Sequence, residues 1–159
     1  MARWQHVADT APEFAATFLA RLDAHVHKTI ATLRADGSPR ISGIECWQAE
    51  GDLWFGSMPR ARKAIDLQRD ARFALHSGSA DPPGWDGDAK LSGRAEEITD
   101  PERRLAGFRT RGSDPPSTDS HLFRADIDEA VLIGLNAERT LMVIELWRPD
   151  GSVTRTERS

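Results

Sequence analysis

Apolar residues along this chain recur at two periods, and the periods divide it into short strands and three helices. Between residues 11 and 24 (APEFAATFLARLDA), Phe14, Ala15, Phe18, Leu19 and Leu22 fall at helical spacing and form one apolar stripe. Thr10 is placed to cap this helix, with Glu13 three residues on and Pro12 in the first turn. The pattern predicts a helix packed on a sheet. From residue 25 the period shortens. Residues 25–33 (HVHKTIATL) are rich in Val, Ile and Thr, residues 40–48 (RISGIECWQ) alternate, and residues 52–55 make a third short strand. Tight turns at 35–39 (ADGSP) and 49–52 (AEGD) join them. This is an antiparallel meander, unlike the strand–helix alternation of a parallel dinucleotide fold. A basic helix follows over 60–69, then strands over 71–77 and 88–98, with Gly93 expected at a bulge or close approach. A helix over 100–108 is opened by Thr99 or Asp100, with Pro101 in its first turn. Strands are predicted over 121–127, 129–135 and 140–148, and the tail carries Arg155 and Arg158. Two loops with paired prolines, 78–87 and 110–119, are expected to line or cover a pocket. Six to eight antiparallel strands with regular turns make a mainly β fold: a small β-barrel with flanking α-helices.

Length and charge narrow the function classes. A chain of 159 residues fits one domain, with a helix at 11–24, a barrel over 25–148 and a tail at 149–159. The single cysteine, Cys46, excludes an internal disulfide and sits in an apolar strand as a packed thiol. No apolar run has the length of a membrane span, and the first residues lack a signal core. The expectation is a soluble, cytoplasmic chain without a membrane partner. A formal net charge of −4, from 21 Lys+Arg against 25 Asp+Glu, argues against a nucleic-acid partner.

The densest candidate chemistry lies at residues 53–67 (LWFGSMPRARKAIDL). An aromatic strand ends at Gly56 and Ser57, Met58 and Pro59 turn the chain, and Arg60, Arg62 and Lys63 open a helix. A basic helix start can be a solvated face. It can equally be an anion site, because free turn amides, a hydroxyl and converging cations suit phosphate. Gly43 leaves room for a flat ring against the backbone, or marks a bulge. Other candidates are weaker. His25 and His27 share a strand face without an evident third metal ligand, so no metal site is expected. His76 and His121 read as packed or loop histidines. Asp81, Asp86 and Asp88 form an acidic loop of solvated carboxylates, and Glu96 and Glu97 a charged strand end.

The order of these pieces resembles a known family. Over residues 29–77, a strand, a DGSPR turn, a second strand, a strand ending FGS and an RK pair at a helix start are similar to flavin-binding split-barrel proteins related to pyridoxamine 5'-phosphate oxidase. LSGRAEEITDP (91–101) and VIELW (143–147) resemble that family's later strands. The resemblance implies an antiparallel Greek-key split barrel and a homodimer with FMN at the subunit interface. It implies a flavin-dependent oxidoreductase acting on a small molecule. Ser57, Arg62 and Lys63 would hold the FMN phosphate. The family's arginine at the start of the second strand falls near Ser42, with Arg40 close enough to substitute. Trp147, with Arg155 or Arg158, would reach the flavin bound by the partner subunit. The vitamin-specific substrate contacts are not reproduced: Trp47, Asp88 and Val153-Thr154-Arg155 occupy those places. The same resemblance leaves open a deazaflavin-dependent reductase, or a non-catalytic flavin- or haem-binding protein. Haem would have only His25, His27 or His121 as axial ligand. No catalytic side chain is named, since hydride transfer needs no protein nucleophile.

Overall fold

A computed structural model describes all residues, 1–159. Eight strands run β1 (His27–Leu33), β2 (Pro39–Ala49), β3 (Asp52–Ser57), β4 (Arg72–His76), β5 (Asp88–Glu97), β6 (His121–Leu135), β7 (Met142–Trp147) and β8 (Val153–Arg158). Four helices are α1 (Trp4–Thr10), α2 (Pro12–Asp23), α3 (Arg62–Arg69) and α4 (Pro101–Arg109). All strand pairs are antiparallel, in the order β3-β2-β1-β4-β5-β6-β7-β8. Pairing of β3 with β6 closes the first six strands into a barrel. The mainly β barrel with flanking helices is therefore as expected. No helix is long and apolar enough to cross a membrane.

The strands close because their alternation sends one residue in two to the interior. Ile30, Ile44, Phe55, Phe73, Leu91, Ala125 and Ile127 meet there. Trp4, Phe14, Phe18 and Leu22 of the two N-terminal helices pack against the same core. Helix α1, absent from the predicted elements, joins the core through the buried Trp4 and Val7 and the partly buried Ala8. The predicted cap on α2 is not made. Ala11 is the N-cap, with no side-chain bond. Thr10 instead donates to the His6 carbonyl and accepts from the Trp147 indole N–H. The two strands expected over 121–135 are one strand with a bulge. The register slips between Ser92 and Gly93, and Asp128 is the extra residue. Gly93 is obligatory there, since a Cβ would lie 1.9 Å from the Asp126 carbonyl oxygen. The expected tail is strand β8, paired along β7.

Helix α3 carries the crossover from β3 to β4 over the barrel wall. One buried carboxylate pins it. Asp66 accepts from Thr32 Oγ1 (2.9 Å), Arg40 Nε (2.6 Å) and Arg69 Nη2 (3.0 Å). A second apolar cluster, Trp54, Ile98, Phe108 and Leu122, fastens α4 to the outside of the barrel.

Candidate functional site

The barrel rim, the start of α3 and the end of α4 enclose a cavity of about 330 Å³. β2 contributes Gly43, Ile44 and Glu45, and β3 contributes Gly56 and Ser57. The register sets Glu45 opposite Gly56. Met58 and Lys63 close one end, and Phe108, Arg111 and Pro116 the other. Gly56 allows this arrangement, because a Cβ there would press on Phe108 Cε1 at 2.8 Å.

Besides the Nε of Arg111, which has no hydrogen-bond partner, two groups in this cavity stand unpaired. The Ser57 hydroxyl is buried and makes no hydrogen bond. A buried polar group left unsatisfied costs free energy, so an orphan in a cavity calls for a ligand. Lys63 is the other. Burial pulls its ammonium below the usual lysine range. None of the 13 ion pairs includes Lys63. Helix α3 also opens without a side-chain cap and without an acidic residue in its first turn. Cations at that end oppose the helix dipole, and of the first-turn amides only that of Ala64 has a partner, the Ala61 carbonyl (2.9 Å). An anion between them reverses both penalties.

The turn that presents this end is braced. Arg60 has φ of 58°, a left-handed conformation that strains a residue with a side chain. Its N–H donates to His121 Nε2 (3.3 Å), while His121 Nδ1 bonds Glu97 Oε1 (2.7 Å). Glu97 Oε2 accepts from Gln68 of α3 (2.9 Å). His121 faces Ser57 across the β3–β6 ladder. The sequence reading had set His121 and Glu97 aside. Their partners come from three elements, and no spacing within the chain announces them.

Arg111 forms the opposite wall. Its Nη1 donates to Glu45 Oε2 (2.6 Å), and its guanidinium lies over Trp47 and Phe108, 5.5 and 5.2 Å from the ring centroids. Trp47 Nε1 donates to Thr110 Oγ1 (2.9 Å), fixing the end of α4 to β2. Of the two proline loops expected to line or cover a pocket, 110–119 lines this cavity through Arg111 and Pro116, and no residue of 78–87 does. Arg111 itself was missed. Its role depends on α4 folding back over β2, which no local pattern encodes.

Of the other residues predicted for the site, the structure groups few. Arg62 is the first residue of α3 and exposed, outside the cavity lining. Arg40 and Ser42 also lie outside that lining. Arg40 is committed to Asp66. Trp147 is fully buried, with its indole N–H on Thr10 and its ring edge-on to His6. Arg155 is exposed, bonds Glu157 (3.1 Å), and lines a separate cleft with Arg21, Asp86 and Glu145. Gly43 pairs in register with Thr29, so it is no bulge; the space beside it is open, with nothing within 4 Å of where a Cβ would stand.

The family profile described as pyridoxamine 5'-phosphate oxidase matches residues 14–143. The chain belongs to this family. A search of curated proteins finds no match. Among solved structures, it is similar to a pyridoxamine 5'-phosphate oxidase-related, FMN binding protein from Nostoc punctiforme. They share 14% identity over 92% of this chain and 95% of that one, with a TM-score of 0.67. It is similar to PhzG from Burkholderia lata, solved in complex with tetrahydrophenazine-1-carboxylic acid, at 15% identity over 92% and 88% of the two chains (TM-score 0.64). It is also similar to a heme binding protein from Mycobacterium smegmatis, at 19% identity over 86% of this chain and 59% of that chain (TM-score 0.62). At these identities the neighbours establish the fold.

His121 provides a test of the braced turn. His121→Ala is expected to weaken binding of an anion at the start of α3 about tenfold, because the strained Arg60 turn loses its acceptor. His121→Gln, whose amide can accept from Arg60 and donate to Glu97, is expected to restore most of it. Equilibrium titration of the two variants checks this; equal losses in both would remove the bracing role.

Proposed function

We propose that this chain is an FMN-binding oxidoreductase, transferring redox equivalents to or from a small molecule. The observation that carries the reading is the orphaned Ser57 hydroxyl in one cavity with a partly buried, unpaired Lys63 at the start of α3. When bound, FMN supplies the hydride-transfer chemistry itself. The chain's own residues bind and orient it. Ser57 donates to the phosphate and Lys63 neutralises it, with Arg62 reaching the same anion from the exposed side of α3. The open backbone at Gly43 accepts a flat ring. Phe108, Pro116 and the Arg111–Glu45 pair exclude water from its far side.

Trp47, hydrogen-bonded to Thr110, stands where the family's substrate lysine would be. This favours a substrate other than pyridoxamine phosphate. The homodimer is supported by an uncovered, largely apolar groove of about 340 Å³ on the outer barrel face. Thr29, Ala31, Ala74, Val131 and Ile41, the last 75% exposed, line it. In such a dimer Arg155 would serve the partner's site, since in its own subunit it lines a different cleft. A deazaflavin coenzyme is the second reading, favoured by the exposure of Arg60 and Arg62 beside the cavity.

Titration of the apoprotein with FMN, a deazaflavin coenzyme and haemin separates these. The expected result is a yellow complex with one FMN per chain and two chains per particle by light scattering. Tight deazaflavin binding without FMN binding would select the second reading. A Soret band lost in His27→Ala, without flavin binding, would replace both with haem binding.

A further inference from the structure

We propose that the cleft at the start of β1 is a second anion site, built on Lys28, that takes a small monoanionic carboxylate. Lys28 is the second residue of β1 and faces inward, only 5% exposed. Its ammonium makes one long hydrogen bond, to the Val26 carbonyl (3.3 Å). An ammonium has three donors, so two are unassigned. No carboxylate lies within ion-pair distance of it. A cation held this deep is costly unless an anion meets it.

The anion has a place to bind. Lys28 lines a cavity of about 290 Å³, with Asp23, His25, Cys46, Trp47 and Arg111 among its walls. That volume is at the low end of small-molecule pockets, roughly 300 to 1,000 Å³, so the ligand is small. Trp47 supplies an apolar wall. Arg111 is already paired with Glu45, which leaves Lys28 as the cation without a counter-charge. Cys46 cannot be that counter-charge, because burial pushes its thiol up to about 12 and keeps it neutral.

The same lining sets the charge of the ligand. Asp23 is exposed at the mouth, and Glu45 stands beside Arg111. With Arg111 and Glu45 neutralising each other, one free cation beside the Asp23 carboxylate accommodates a single negative charge and repels a dianion. The cleft therefore differs in kind from the phosphate-type site at Ser57 and Lys63, with which it shares only Glu45 and Arg111 as wall. It does not depend on the flavin reading.

The test uses the full chain with benzoate, phenyl phosphate and benzyl alcohol, read by calorimetry and by thermal shift. Benzoate is expected to bind and raise Tm, with phenyl phosphate and benzyl alcohol at least tenfold weaker. Lys28→Met is expected to raise the Tm of the unliganded protein and to weaken benzoate at least tenfold. Should that variant not fold, Lys28→Gln removes the charge while keeping a donor for Val26. Absence of benzoate binding, tighter phenyl phosphate than benzoate, or unchanged benzoate affinity in the variant would overturn the proposal. Since none of these readouts involves FMN, their failure is separate from failure of the flavin site.

Discussion

Replacing Ser57 by Ala and Lys63 by Met together is expected to weaken FMN binding at least a hundredfold without loss of folding. Hydrogen bonds to charged groups are worth about 1.5–3 kcal/mol each, and about 1.4 kcal/mol is a factor of ten in affinity. Two such contacts to a phosphate therefore account for a hundredfold or more. The stability side has the opposite sign from an ordinary polar deletion. The Ser57 hydroxyl has no partner in the free chain, so its removal breaks no bond. Lys63 is partly buried and unpaired, so a methionine stem of similar length relieves part of a desolvation cost. Tm should hold or rise while affinity falls, and calorimetry with thermal denaturation reads both. A fall in Tm with FMN affinity intact would mark the two as packing residues.

Asp66→Ala is expected to destabilise the fold by about 3–5 kcal/mol at neutral pH, the range for breaking a buried ion pair on one side. For a chain of this size that is a fall of roughly 10 °C in Tm. The variant leaves Arg40 and Arg69 without their carboxylate and removes the bond from Thr32. Burial pushes the Asp66 carboxyl up, but the bonds from Arg40, Thr32 and Arg69 outweigh it and hold the group below its ordinary value of 3.8. The native state thus releases this proton more readily than the unfolded chain does. Its contribution is complete above the ordinary value, and it is lost as pH falls from there through the lowered native value. Urea unfolding at pH 7 should separate wild type from Asp66→Ala widely, and the gap should narrow below about pH 4. A gap independent of pH would mean that packing, not charge, fixes α3.

The barrel was legible because strand alternation is a local signal. Each expected strand found its place within two residues at most boundaries, and the slip at Gly93 was foreseen from a lone glycine in a strand. What failed depends on partners distant in sequence. Thr10 has the chemistry of a cap, but Trp147 and the His6 carbonyl claim its hydroxyl. Helix α1 is only 7 residues long, too short for its period to show. The bond from Arg40 to the buried Asp66, 26 residues on, likewise has no local signal. Within the site, the turn hydroxyl and Lys63 were visible as a strand end meeting a basic helix start. Arg111, Glu45, His121 and Glu97 were not, because α4 and β6 bring them in from 24 or more residues away.

The most direct measurement compares FMN with riboflavin, which lacks only the phosphate, by calorimetry on the wild-type chain. One site per chain is expected, with FMN at least a hundredfold tighter and its advantage shrinking as salt is raised. Equal affinity for the two, or no binding of either, would contradict it.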